Sequence, residues 1–283
     1  MITVTPVEMS RLIRDLREKT GAGMTACKKA LEASGWKLDE ALTALRKQGQ
    51  ADMAKRAARA TKEGAIAFKA AGKSGAIIEL NSETDFVART DEFKALAQSL
   101  ADKACAGEIR QPADAAPFIE SVQTKMRENM ALRRLARFTL QGEGLVAGYI
   151  HIGAKNGSLI EIAAPSAAAA AHPAVAELAK ELLLQIVGFN AKYLRREEVP
   201  AAEIVKEKEI HAETLRKEGK PEAAIPKIVE GKINKLFYQT FCLLEQMSAR
   251  DNKTSIASII KDASAKAGGE LKVVRFARYT LGE

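Results

Sequence analysis

Apolar positions recur at helical spacing through the first fifty residues. Met9, Leu12, Ile13 and Leu16 make one stripe; Met24, Cys27, Ala30 and Leu31 make a second; Leu38, Leu42 and Leu45 make a third. Thr20-Gly21-Ala22-Gly23 breaks the first stripe, since glycine tolerates the positive φ of a tight turn. Gly35 ends the second, Asp39 is a suitable N-cap for the third, and Gly49 is expected to stop it. Residues 1–49 therefore predict a small three-helix domain. Residues 50–62 carry Lys55, Arg56, Arg59 and Lys62 against Asp52, which predicts a basic linker or solvated helix face, with a nucleic-acid contact as the other reading.

From Glu63 the period changes to that of a strand. Ala65-Ile66-Ala67-Phe68 and Ala76-Ile77-Ile78-Glu79-Leu80 flank Gly72-Lys73-Ser74-Gly75, which predicts a hairpin. The pattern repeats. Glu143-Gly144-Leu145-Val146-Ala147 echoes Glu63-Gly64-Ala65-Ile66-Ala67, and Gly157-Ser158-Leu159-Ile160-Glu161-Ile162 echoes Gly75-Ala76-Ile77-Ile78-Glu79-Leu80. Phe93, Leu96, Ala97 and Leu100 match Val175, Leu178, Ala179 and Leu182 at helical spacing. Arg134 to Leu140 matches Arg275 to Leu281. Each half is thus a hairpin, a helix and a third strand, over residues 63–141 and over 142–198 with 245–283. Residues 199–244 interrupt the second half. Pro200 opens a charged helix, Gly219-Lys220-Pro221 turns the chain, and a second helix runs from Ile225 to Thr240, a predicted antiparallel helical hairpin. Pro226 fits only in a first turn and Gly231 weakens a helix, so irregularity is expected near the tip. The fold class is α+β.

Ala67 to Ser74 also fits a loose phosphate-loop pattern around Lys73. That loop needs a helix N-terminus after it, so that backbone N–H groups point at the anion. Here a strand follows, and the second copy has Lys155-Asn156 instead, so nucleotide binding by this chain is not expected. The stretch Asn81-Ser82-Glu83-Thr84-Asp85-Phe86-Val87-Ala88 carries more information. It reads as a strand end, a tight loop and a helix start, with a carboxylate beside a benzyl ring. In one reading Asp85 caps the helix and Phe86 staples it into the core; in the other the pair completes itself against another molecule. The second copy has Ser166-Ala167-Ala168-Ala169 at this place, so the turn does not need the pair, which favours the second reading.

Composition narrows the classes. The chain of 283 residues has a net charge of +8, which suits an acidic partner, either protein or nucleic acid. Aromatics are only 5% and rarely alternate with the cations, so a base-stacking platform is not expected. Cys27, Cys105 and Cys242 are odd in number and far apart, which suits a reducing cytoplasm and excludes a CxxC metal or redox motif. No long apolar run or leader pattern is present, so no membrane contact is expected. His151, His172 and His211 lie in three separate segments, and no triad, metal cluster or carboxylate pair emerges, so neither covalent chemistry nor a cofactor or metal is expected.

Thr20-Gly21-Ala22-Gly23-Met24 followed by Cys27-Lys28-Lys29-Ala30-Leu31 resembles the start of the bacterial elongation factor Ts family, and Thr84-Asp85-Phe86-Val87 looks like its most diagnostic motif. Leu45-Arg46, the helix at Glu230-Gly231 and Val274-Arg275-Phe276 also fit, so the resemblance covers nearly the whole chain. It implies a ubiquitin-associated-like (UBA-like) N-terminal domain, two related core subdomains and an inserted hairpin. It also implies guanine nucleotide exchange on elongation factor Tu in the cytoplasm, with no specific nucleic acid as ligand. By the same resemblance Thr84, Asp85, Phe86 and Val87 disturb the partner's magnesium and phosphate site, and Met24, Lys28 and His151 are further contacts. The resemblance departs at Met247-Ser248-Ala249, where relatives often carry an apolar Pro-Phe-Val run, so no strong contact is expected from residues 247–251. A basic RNA- or ribosome-binding protein is the alternative that the net charge leaves open.

Overall fold

The computed structural model describes residues 5–57 and 59–283. Three helices come first: α1 (Pro6–Thr20), α2 (Met24–Ala33) and α3 (Leu38–Ala57). A capping box starts α1, with Glu8 N donating to the Thr5 hydroxyl and the Glu8 carboxylate accepting from Thr5 N. Leu16, Cys27, Leu31 and Ala41 are fully buried at the centre of the bundle. Two expectations need correction here. Asp39 lies inside the first turn of α3 rather than at its cap, and Gly49 does not end that helix, which continues to Ala57. A glycine inside a helix costs only about 1 kcal/mol, and the Gln, Ala, Met, Lys and Arg that follow are good helix formers. The first part of the expected linker is therefore helical.

The first sheet is β1 (Glu63–Ala71), β2 (Ser74–Ser82) and, after three helices, β3 (Met130–Thr139), in the order β1-β2-β3 and antiparallel throughout. Those helices are the single turn α4 (Asp85–Ala88), α5 (Asp91–Ala106) and α6 (Ala116–Met126). The second sheet repeats the plan. It consists of β4 (Gly144–Ile150), β5 (Asn156–Ala163) and, at the end of the chain, β6 (Lys272–Thr280). Between β5 and β6 lie α7 (Ala167–Ala170), α8 (Pro173–Gly188), the insertion, and α12 (Ile256–Ala267). The registers agree in detail: Ala136 faces Ile77 as Ala277 faces Leu159, and each sheet has a bulge after its central glutamate, Glu79 or Glu161.

Each sheet buries both faces. Leu80, Phe93, Leu96 and Leu100 pack one face of the first sheet on α5, and Ile162, Val175, Leu178 and Leu182 do the same on α8. The other faces meet each other through Ile66, Ile77, Phe138, Val146, Leu159 and Tyr279. This explains why β2 is an almost unbroken apolar run instead of an alternation. Close approach is required: a Cβ on Gly148 would overlap the Phe68 ring. Each half closes its own sheet in the same way, with Leu140 N donating to Lys73 O in the first and Leu281 N to Lys155 O in the second, and the join between them is reciprocal. Arg134 lies over the Tyr279 ring and Arg275 over the Phe138 ring.

The insertion consists of α9 (Ala201–Lys217), α10 (Ile225–Lys232), a π stretch Ile233–Tyr238 and the short α11 (Gln239–Phe241). Leu215, Ile225, Val229, Ile233 and Phe237 form its own core. Pro226 stands in the first turn of α10, where its missing N–H is not needed. The irregularity expected near the tip lies instead in the π stretch, where Phe237 packs edge-on against Tyr238 and Phe241. Gly231 lies within regular helix, so its cost is absorbed there.

Candidate functional site

The sharpest feature of the surface is α4. Thr84 is its N-cap, with extended backbone and a hydroxyl that accepts from Val87 N at 3.4 Å. Thr90 caps the next helix, accepting from Phe93 N at 3.2 Å. Between these two caps a single turn presents four residues to different surroundings. Val87 and Ala88 pack on the first core. Asp85 pairs with Arg89 at 2.9 Å, one turn on, and stays partly open to water. The Phe86 ring is 80% exposed. The reading in which Asp85 caps and Phe86 staples is therefore corrected: Thr84 is the cap and Val87 the anchor. Phe86 points away from the core because only one side of a single turn can face the sheet.

The second half builds the same turn without the pair. Ser166 caps α7, accepting from Ala169 N at 3.2 Å, and Ala169 is buried where Val87 stands in the first half. Ala167 and Ala168, at the places of Asp85 and Phe86, are both exposed. The local fold asks for a hydroxyl cap and a small apolar anchor. It does not ask for the acid or the ring.

The loop entering α4 is gripped from a distance. Glu128 takes Thr84 N on Oε2 at 3.0 Å and the Thr84 hydroxyl on Oε1 at 2.5 Å. Glu83 accepts from Asn129 N at 2.6 Å and from the Arg59 guanidinium at 3.4 Å. Neither Glu83 nor Glu128 stood out in the sequence, because the partners lie more than forty residues apart and leave no local pattern.

The other expected contact residues stand on separate elements. Met24 and Lys28 are one turn apart on α2. Met24 was expected in a buried stripe as well as at a contact, but it is 61% exposed. Lys28 pairs with Glu32 at 3.7 Å, an exposed pair that contributes little to stability. Met24 also lines a cavity of about 600 Å³ with Gly23, Lys29, Leu45 and Arg127, which brings the start of α2 beside the turn that carries Glu128. His151 is exposed in the β4–β5 turn, its Nδ1 2.9 Å from the Tyr149 hydroxyl, next to an almost fully exposed Ile152.

Lys73 sits in the β1–β2 turn, its Nζ 3.1 Å from the Glu143 carboxylate and 3.3 Å from Gly142 O. A strand follows it, so no helix N-terminus is aimed there and the phosphate-loop reading is set aside. Among the described residues no group of three or more His, Cys, Asp or Glu gathers to hold a metal ion, and no helix is long and apolar enough to cross a membrane. Within 247–251, Ser248 is buried against Glu181 at 3.3 Å, and Ala249 N donates to Gln185 at 2.8 Å.

A family model described as elongation factor TS matches residues 83–283. Relatives named elongation factor Ts match over nearly the whole chain. The one from Nitratidesulfovibrio vulgaris is 40% identical over 275 residues, covering 96% of this chain and 95% of its own. The one from Clostridium botulinum is 39% identical over 287 aligned residues, covering 97% and 93%. The one from Nostoc is 36% identical over 289, covering 97% and 92%.

Proposed function

This chain belongs to the elongation factor Ts family, and on that footing we propose that it is a guanine nucleotide exchange factor for elongation factor Tu. The observation that carries this reading is the Phe86 ring, 80% exposed on a helix capped at its own start and followed at once by a second capped helix. A ring carried on a capped turn with only two rotatable bonds loses little conformational freedom on binding, so most of its burial energy is available at an interface. Thr84 fixes the start of the turn and Val87 anchors it, while Asp85 and Phe86 face outward. In the partner, the ring enters a gap between packed helices and the carboxylate disturbs the polar network beside the magnesium ion. Magnesium neutralises phosphate charge, so displacing it weakens the hold on GDP. Met24 and Lys28 on α2, and His151 on the second half, provide further grips.

No bond is made or broken in such a step. The factor binds the nucleotide-free partner more tightly than the GDP–magnesium form, and linkage requires GDP to weaken the factor's grip by the same ratio. The test is stopped-flow release of a fluorescent GDP analogue from elongation factor Tu. The double variant Asp85→Ala with Phe86→Ala should slow the stimulated release severely while it melts like the parent. Unchanged release would refute the proposal.

A further inference from the structure

We propose that Glu128 and Glu83 are positioning residues: a carboxylate clamp that holds the Asp85–Phe86 helix in its binding orientation and ties it to the segment arriving from α3. The proposal rests on the exchange-factor reading above. Two chain segments exchange bonds in both directions. Glu128 reaches from the turn after α6 to Thr84, and Glu83 reaches from the loop before α4 to Asn129. The Thr84 hydroxyl donates to Glu128 and accepts from Val87 N, so the clamp acts directly on the cap of α4. A third segment joins at Arg59, whose guanidinium meets Glu83 and whose carbonyl accepts from the Asn129 side chain at 2.9 Å. Arg127, the neighbour of Glu128, lines the cavity at Gly23 and Met24. The clamp thus lies between the two regions assigned to the partner, the start of α2 and α4.

The duplicated half closes the matching place without carboxylates. Leu132 faces Leu80 as Val273 faces Ile162, and counting back along both strands sets Glu128 against Gly269 and Arg127 against Gly268. Both Arg127 (φ 59°) and Gly268 (φ 76°) are left-handed C-caps, of α6 and α12. Where Glu83 stands the second half has Pro165, against which a Cβ on Gly269 would collide. The α7 turn closes there with its serine cap alone. At this place, a non-glycine residue in the left-handed C-cap and two carboxylates exchanged between facing loops belong to the half that carries the Asp-Phe pair.

The test uses the full chain and a cycle of variants. Glu128→Ala should lower the second-order rate of stimulated GDP release by about tenfold, and in the Phe86→Ala background it should change the rate by less than about twofold, because the two act through one element. Glu128→Gln should recover most of the rate, since an amide can accept from Thr84 N and donate to its hydroxyl. In the free protein, amide hydrogen exchange at Thr84 to Ala88 should quicken in Glu128→Ala and return toward the parent in Glu128→Gln. Glu83→Ala should show the same non-additivity, and it decides the matter if Glu128→Ala fails to fold. An equal loss with and without the Phe86 ring would make Glu128 merely structural and overturn the proposal, as would a parental rate for Glu128→Ala while Phe86→Ala is impaired. A parental rate for Phe86→Ala would instead remove the exchange-factor reading on which the clamp depends.

Discussion

Phe86→Ala removes a ring that the free protein leaves 80% exposed. Its surroundings in the folded chain are mostly water, so unfolding exposes little more of it. A surface change of this kind alters stability by roughly 0.5 kcal/mol or less, which for a chain of this size is a melting shift of about 2 °C or less. Binding is a different matter. Full burial of a phenylalanine side chain is worth about 1.5–3 kcal/mol, so burying the exposed four fifths of this ring contributes about 2 kcal/mol. At about 1.4 kcal/mol per decade, its loss weakens the complex with elongation factor Tu roughly thirtyfold. A hole left between the partner's helices adds to that figure. The assay pairs titration of the variant against nucleotide-free elongation factor Tu with stopped-flow release of a fluorescent GDP analogue and a thermal melt. A melting temperature lowered by more than about 4 °C would mean that the ring stabilises the free fold, contrary to its exposure. Affinity within about threefold of the parent would mean that the ring is not buried on binding, and the wedge argument would fail.

Other outcomes follow from the same structure. Glu79 is fully buried between the sheets, accepting from Arg133 at 2.9 Å, Arg134 at 2.6 Å and Gly282 N at 3.2 Å; Glu79→Ala should cost about 1–3 kcal/mol in urea unfolding, since the arginines it leaves still reach water. Burial drives the Glu79 carboxyl upward, but the hydrogen bonds from Arg133, Gly282 and Arg134 and the Arg134 charge outweigh it and hold it below its ordinary 4.5. A lowered folded value means the contribution is whole above 4.5 and lost as pH falls below it, so acid unfolding should be blunted in Glu79→Gln. Gly64 (φ 149°) and Gly144 (φ 156°) occupy matching strand positions where a Cβ would overlap Leu80 O or Ile162 O, so alanine at either should cost at least about 2 kcal/mol by thermal melting. A gel shift at physiological salt should find no stable RNA complex despite the charge of +8; one surviving about 150 mM salt would favour the nucleic-acid alternative.

Much of the fold was legible because it is periodic. The three N-terminal stripes, both hairpins and the matched apolar faces of α5 and α8 are one-dimensional signals, and the duplication amplifies them. Features that depend on distant partners were not legible. α6 was missed because Pro112 stands before it, Pro117 lies in its first turn, and only Ile119 and Gln123 of its residues are buried, too few for a stripe. Glu79 read as one polar residue in a strand, because its partners lie on another strand and at the far end of the chain. At the candidate site the sequence showed that Asp85 and Phe86 are dispensable for the turn, yet their orientation depended on which side of a single helical turn faces the sheet. The Glu128–Thr84 and Glu83–Asn129 bonds span more than forty residues, and only the alignment of Glu128 with Gly269 could have hinted at them.

The duplication supplies a comparison that a single copy could not. Two stretches of one chain, in one solvent, fold into a hairpin, a capped single turn, two helices and a third strand, with agreeing registers and bulges. Whatever both halves share is explained by folding: the hydroxyl caps Thr84 and Ser166, the anchors Val87 and Ala169, and the Glu79–Arg134 and Glu161–Arg275 pairs. Around the α4 turn, the features without a counterpart at the α7 turn form a short set: the Asp85 carboxylate, the Phe86 ring, the two glutamates behind them and the arginine in a left-handed cap. An exposed ring gains nothing from folding, and a non-glycine residue in a left-handed cap carries a conformational cost there. On the proposed function, the interface with elongation factor Tu offsets that cost. The surface on which the set converges is the outward side of α4, and a partner seated there meets the ring and the acid together.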